Sequence, residues 1–296
     1  MSERLKAHLL INLSCLFWAG NMTVGRALRD LVGGWTIVSV RCLLSGLIFL
    51  LLLRILEPAG RAHWRSDFPR LLVMALTGIA GYQGALYFGL RFTDAINVSL
   101  IHAAAPLVTI LMVWIWLRIA IHGAQLVGVL SSAAGIAVII TEGEWQRLGA
   151  LSLNPGDLLI LLGITLFSVY NVVGRDVMQR RSVLSATAMA TLLSAVLLLP
   201  VGGWEITQSQ PVWGWNTLLG LLYVTIFPGV LAFLAWNWSV KVVGPAEAMA
   251  FMNMIPLYVV LLATYLLGEP LQGYQLFGGT LIVGGCLAAA LWARRA

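Results

Sequence analysis

Residues 34–53 read GWTIVSVRCLLSGLIFLLLL, a run in which Arg41 is the only charged side chain. The hydrocarbon core of a bilayer is about 30 Å thick, and about 20 predominantly apolar residues of α-helix cross it. There is no water at that depth to bond with backbone N–H and C=O groups, so these groups must bond with each other and a run of this kind must form a helix. The stretch therefore predicts a membrane-spanning helix.

The rest of the chain has the same character. Of its 296 residues, 60% are hydrophobic and 10% are charged, with a mean hydropathy of +0.91, whereas an ordinary soluble domain has about 25% charged residues. Short polar breaks separate the apolar runs. The sequence thus predicts an all-α membrane protein with ten transmembrane helices, at residues 6–27, 34–53, 69–91, 95–117, 123–141, 156–174, 183–203, 215–240, 246–266 and 273–293.

The net charge of +6 reflects topology better than a nucleic-acid partner. A nucleic-acid-binding surface needs its Lys and Arg clustered, and here they are scattered. Most of the 18 basic side chains fall on the side of the spans that holds the N-terminus, and the opposite side receives Arg26, Arg29, Arg91 and Arg147. Since cytoplasmic loops carry the basic excess, we expect both termini in the cytoplasm and no nucleic-acid partner.

The chain also contains an internal repeat. A shift of 150 residues superposes Phe17 on Phe167, Asn21 on Asn171, Pro106 on Pro256, Gln125 on Gln275 and Gly135 on Gly285. Five spans in each half is an odd number, so the halves, 1–147 and 148–296, must be inverted relative to each other. Inverted repeats are a transporter architecture, with the substrate near the midplane where the halves meet.

Polar and aromatic side chains inside the spans are the candidates for a substrate cavity, because such groups face the bundle interior or a wet cavity. For Asn21 and Asn171, hydrogen bonding between helices alone is an equal alternative. The predicted lining is Trp18, Asn21, Tyr82, Gln83, Tyr87, Ser99, His102, Tyr170, Asn171, Phe233, Trp236, Asn237, Met252 and Asn253.

Four further features of the spans carry specific expectations. Pro106 and Pro256 predict helix kinks with a hinge or gating role, or kinks without function. His102 could bind a substrate carboxylate or carry a proton, or be an ordinary interior histidine. Arg41 is costly in hydrocarbon, and a structural clamp is favoured over substrate binding.

Several activities lack the residues that they need. The sequence has no paired deep carboxylates, Ser/His pair or HExxH helix of a membrane hydrolase, and its cysteines have no metal-ligand spacing. We therefore expect no enzyme activity, no cofactor and no metal. A channel stays open as an alternative, although no filter-like repeat is present. Because no carboxylate lies deep in a span, facilitated diffusion is favoured over proton antiport.

The motifs resemble those of a known family. Arg41, the Pro106-Leu107-Val108 and Pro256-Leu257-Tyr258 triplets, and residues 265–270 (YLLGEP) followed by a Gly-rich helix are similar to the ten-helix EamA-type branch of the drug/metabolite transporter superfamily. Residues 116–120 (WLRIA) depart from the Leu-Gly-Glu turn that the branch often has there.

Within that branch the aromatic-rich interior most resembles the YddG-type amino acid exporters. The resemblance implies a multi-pass secondary transporter of a bacterial inner membrane, which exports amino acids, preferably aromatic or hydrophobic, by alternating access. An exporter of another metabolite or drug is the alternative. The implied partners are an amino-acid-like small molecule, the lipid bilayer and a possible second copy of the chain.

Overall fold

The structure is a computed structural model of the chain. It describes residues 2–28, 31–57, 64–89, 92, 101–120, 122–144, 146–149, 154–267 and 271–292. These residues contain helices and turns and no strand. The predicted positions Ser99 and the YLLGEP turn at 268–270 lie outside the described residues, as does the side chain of Tyr87.

Besides a four-residue helix at Gln146–Gly149, the described residues of the first half form five helices. They are α1 (Glu3–Leu28), α2 (Gly34–Leu56), α3, which runs through Trp64–Met74, a π-helical segment Ala75–Gly81 and Tyr82–Gly89, α4 (Ala105–Leu117) and α5 (Gly123–Ile140).

Five more form in the second half. They are α6 (Pro155–Arg180), α7 (Val183–Ser209), α8, which runs through Trp215–Val224, a π-helical segment Thr225–Leu231 and Ala232–Val243, α9, which runs through Pro245–Ala250, a 3-10 turn Phe251–Asn253 and Met254–Leu267, and α10 (Gly273–Trp292).

Six of these helices are long and apolar enough to cross a membrane: α1, α2, α6, α7, α8 and α9. Helices α4, α5 and α10 are apolar but shorter within the described residues. The first turns of α3 carry Arg65, Asp67 and Arg70, so its N-terminal part is polar. The prediction of an all-helical membrane protein is confirmed.

The helices extend beyond the predicted spans. Helix α7 ends at Ser209 rather than 203, α6 at Arg180 rather than 174, and α3 begins at Trp64 rather than 69. A span was delimited by apolar residues, whereas a helix continues wherever caps and polar contacts support it. At the start of α6, for example, Asn154 and Asp157 cap each other's backbone N–H groups, which satisfies donors that a helix start leaves open.

The packing of the helices follows a reciprocal scheme. Helix α1 packs on α8 and α9, while α6 packs on α3 and α4. The remaining helices pair across the halves, α2 with α7 and α5 with α10. Each contact is thus matched by the contact between the equivalent helices of the other half, which is what a twofold relation between the halves would produce.

The outward faces of the bundle are apolar. Leu47 and Leu51 on α2, Val196 on α7 and Phe277 on α10 are more than half exposed. Such side chains would be unfavourable in water, but they suit a lipid environment. The polar groups inside the bundle are therefore the groups that need explanation.

Candidate functional site

Six aromatic side chains meet where α1, α3, α6 and α8 converge, and we call them the aromatic cluster. Trp18 lies with its ring centroid 5.0 Å from Trp236 and 5.8 Å from Phe233. Phe167 lies 5.1 Å from Tyr82 and stacks on Tyr170 at 5.6 Å. The cluster thus combines aromatic residues from both halves of the chain, and they make the offset and edge contacts that aromatic pairs favour.

Hydrogen bonds at the aromatic cluster connect α6 to α8 and α8 to α7. Asn237 donates to the Tyr170 hydroxyl at 2.8 Å and to Thr187 of α7 at 2.9 Å. Trp236 Nε1 donates to Asn171 Oδ1 at 2.7 Å. These side chains are fully buried, and their polar groups already have protein partners. The arrangement is the one expected of polar residues that bind membrane helices together.

Six of the other predicted residues keep accessible surface, whereas Phe233 and Asn253 are buried. Trp18, Asn21, Tyr82, Gln83, His102 and Met252 are all half-buried. The Tyr82 hydroxyl and His102 Nε2 are 3.3 Å apart, so one polar pair stands beside the aromatic cluster. The predicted lining therefore divides into residues that keep some accessible surface and residues that are buried.

Helix α9 is held at its 3-10 turn by two thiols that were not predicted to take part in the site and by Asn253, which was predicted to line the cavity. Cys15 donates to the Phe251 carbonyl and Cys286 to the Ala250 carbonyl, each at 3.3 Å. Asn253 donates to Ser132 of α5 at 2.7 Å. A 3-10 turn changes which carbonyls are bonded within a helix. The two thiols reach these carbonyls because α1 and α10 flank the turn.

The two prolines lie close to interruptions in their helices. Pro106 is in the first turn of α4, directly after a turn at Ala104. Pro256 follows the 3-10 turn of α9. A proline has no backbone N–H to donate. An interruption of the helical hydrogen bonds next to a proline therefore leaves fewer backbone groups without a partner than it would next to another residue.

Arg41 is buried within α2, and it faces the second half. With Ser45, Thr191 and Phe233 it lines a cavity of about 10 Å³, which is about the smallest that can hold a water molecule. Among the described residues no carboxylate forms an ion pair with Arg41. Phe233, a member of the aromatic cluster, lines the same cavity, so Arg41 lies at the edge of the cluster.

Comparison with known proteins agrees with this architecture. A solved crystal structure superposes on the chain with a TM-score of 0.78 over 98% of both chains, at 21% identity, a likeness that concerns the fold alone. The "Uncharacterized transporter YyaM" of Bacillus subtilis is 28% identical over 83% of this chain and 81% of its own. The "Probable terminal-alkyne amino-acid exporter" of Streptantibioticus cattleyicolor is 25% identical over 78% of this chain and 76% of its own.

The model of one family matches the chain twice, once in each half. Residues 5–141 and 154–291 each match it, and together they include all ten helices α1–α10 except the first two residues of α1 and the last residue of α10. The family is defined by transporters, in keeping with the apolar exterior and the polar, aromatic interior. The chain belongs to the EamA-like transporter family.

Proposed function

We propose that the protein is a secondary transporter of a bacterial inner membrane that exports amino acids, with a preference for aromatic or hydrophobic ones. Ten helices cross the bilayer with both termini in the cytoplasm. Residues 1–147 and 148–296 form the two inverted halves. The substrate binds where the halves meet, beside the aromatic cluster.

The reciprocal packing supports the inverted arrangement. Under the 150-residue shift the pair α1 and α8 becomes α6 and α3, and the two π-helical segments, Ala75–Gly81 and Thr225–Leu231, fall on each other. π-helical turns often mark functional sites. A rocking motion of one half against the other, as in other inverted-repeat transporters, would open the site to each side in turn.

One observation carries the choice of substrate. The half-buried rings of Trp18 and Tyr82 belong to the aromatic cluster, and the Tyr82 hydroxyl lies 3.3 Å from His102 Nε2. The half-buried amides of Asn21 and Gln83 lie on the same two helices, α1 and α3. Apolar walls with a few polar groups are typical of small-molecule sites. An apolar or aromatic side chain suits the rings, and a carboxylate and amine suit the polar groups. The amino-acid exporter among the relatives agrees with this choice.

Transport of radiolabelled amino acids by proteoliposomes tests the proposal. We expect efflux of L-phenylalanine and L-leucine that exceeds the efflux from protein-free liposomes, and slower efflux of L-glutamate. Each labelled amino acid is trapped inside the vesicles as the tracer, and a labelled sugar of similar size is the control. If the sugar or a cationic drug moves while no amino acid does, the proposed substrate is wrong. The protein would then export another metabolite or a drug.

A further inference from the structure

A second cavity lies at the end of the bundle that holds the N-terminus. It has a volume of about 290 Å³ and lies between the ends of α4 and α6 and the junction of α8 with α9. We call it the inner-end cavity, because this end is cytoplasmic under the proposed topology. Its volume is near the lower limit of small-molecule sites, so it fits a metabolite rather than a peptide.

The inner-end cavity is separated from the aromatic cluster by one layer of side chains. Arg175 lines the cavity and lies one helical turn beyond Asn171 on α6. Asn171 contacts Met249 at 3.6 Å, and Met249 lies two residues beyond Glu247, which also lines the cavity. A solute in this cavity would therefore lie close to the predicted central site, on the other side of Asn171 and Met249.

The charges around the cavity leave one cation uncompensated. The carboxylate of Glu247 is buried and is held by Arg4 at 2.6 Å and His8 at 2.7 Å. Asp176, next to Arg175 in sequence, pairs instead with Arg70 at 3.3 Å and Arg180 at 3.0 Å. Among the described residues no carboxylate pairs with Arg175.

The guanidinium of Arg175 packs against Gly244, the residue that joins α8 to α9. Gly244 has a φ of +90°, and a Cβ placed there would lie 3.5 Å from Arg175 Cζ and Nη1. The remaining walls of the cavity include Ile110, Val113 and Val243. Polar side chains, those of His122 and Gln125, also line the cavity. A guanidinium beside both apolar and polar walls suits a carboxylate attached to an apolar body, because guanidinium and carboxylate form charge-assisted hydrogen bonds.

We infer that the inner-end cavity is a loading site for a small apolar carboxylate, with Arg175 as the group that binds the carboxylate. The inference deepens the proposed function and rests on it for the identification of the carboxylate as that of an amino acid. Arg175 acts in binding and contributes no chemistry. A substrate that entered here would arrive with its carboxylate held and its apolar part directed at the helices.

Binding of phenylacetate to the purified protein tests the inference without transport. Phenylacetate is expected to raise the Tm of the wild type and of Arg180→Gln, an exposed arginine on the same helix. The shift is lost in Arg175→Gln and partly kept in Arg175→Lys. Phenethylamine, which has the same ring with an amine in place of the carboxylate, and inorganic phosphate are expected to give no shift.

A second variant keeps the test independent of the loss of Arg175. Ala246→Glu places a carboxylate in the first turn of α9, a favourable position for an acid, where it would pair with Arg175 and abolish the phenylacetate shift. The inference is overturned if phenylacetate does not raise the Tm of the wild type, or if it raises the Tm of Arg175→Gln or Ala246→Glu as much as that of the wild type. It is also overturned if phenethylamine, phosphate or phosphatidylglycerol raises the Tm of the wild type as much as phenylacetate does. Absence of amino acid transport together with an Arg175-dependent shift would reject the proposed substrate alone.

Discussion

Gly128 of α5 lies against the backbone carbonyl of Gly285 of α10, so closely that a Cβ on Gly128 would sit 2.6 Å from that oxygen. The equivalent pair, Gly278 and Gly135, makes the same contact, with a Cβ on Gly278 2.6 Å from the Gly135 carbonyl. Small residues allow membrane helices to approach closely. The two halves therefore join at this edge through one contact that is used twice.

Replacement of Gly128 by Leu is expected to separate α5 from α10. Overpacking of a tight contact costs about 1–3 kcal/mol, so the Tm of the purified protein should fall by several degrees. Gly284→Leu is the matched control, because a Cβ at Gly284 meets nothing within 4 Å. Equal effects of the two substitutions would mean that the close approach does not stabilise the bundle.

Removal of the Asn237 amide should weaken the contact between α6 and α8. In Asn237→Leu the Tyr170 hydroxyl and the Thr187 hydroxyl lose the donor that bonds both. Loss of a buried partner costs about 1–3 kcal/mol, although polar contacts in membranes average about 0.6 kcal/mol. A double-mutant cycle with Tyr170→Phe, measured by unfolding in detergent, is expected to give a coupling energy above zero. Strict additivity would contradict the contact.

Glu247 joins the start of α9 to α1 and is expected to hold these two helix ends together. The carboxylate is buried, but the side chain of its partner Arg4 is 35% exposed, so we expect Glu247→Gln to cost less than the about 3–5 kcal/mol of a fully buried pair. Hydrogen exchange of residues 3–8 should rise in this variant. Asp176→Asn, at an exposed pair on α6, is the control, and an unchanged exchange pattern in Glu247→Gln would argue against the tie.

The Tyr82 hydroxyl is expected to serve substrate binding rather than stability. It lies 3.3 Å from His102 Nε2, and both side chains are half-buried. We expect Tyr82→Phe to lower kcat/KM for L-phenylalanine about tenfold, which corresponds to about 1.4 kcal/mol, with Tm unchanged. Tyr223→Phe, at a half-buried tyrosine of α8 outside the aromatic cluster, should transport normally. A drop in Tm with unaltered kinetics would assign Tyr82 to the fold instead.

Hydropathy and the repeat predicted most of the architecture. An apolar run such as 34–53 has no alternative to a helix in hydrocarbon, and the observed α2 spans Gly34–Leu56. The shift of 150 residues predicted which helices correspond, since it depends on residue identity and not on packing. The π-helical segments could not be predicted in this way, because Ala75–Gly81 and Thr225–Leu231 fall on each other but have no identical residue at any equivalent position.

The division of the site into accessible and buried residues also needed the structure. Asn21 and Asn171 are repeat mates, yet Asn21 is half-buried and Asn171 is fully buried and bonded to Trp236. Equivalent positions in sequence acquire different neighbours because the two halves are not identical in detail. The sequence analysis counted Arg175 only among the basic residues on the side of the spans that holds the N-terminus, since its cavity is built by helices far apart in the chain.

Counterflow of L-phenylalanine in proteoliposomes tests the central claim most directly. Vesicles loaded with unlabelled L-phenylalanine should accumulate labelled L-phenylalanine when they contain the wild type or Trp116→Ala, whose side chain is 58% exposed on the outside of the bundle. Trp18→Ala, at the centre of the aromatic cluster, should lower that accumulation at least about tenfold, the effect of about 1.4 kcal/mol. No counterflow in the wild type, or equal counterflow in Trp18→Ala, would contradict an aromatic amino acid site between the two halves.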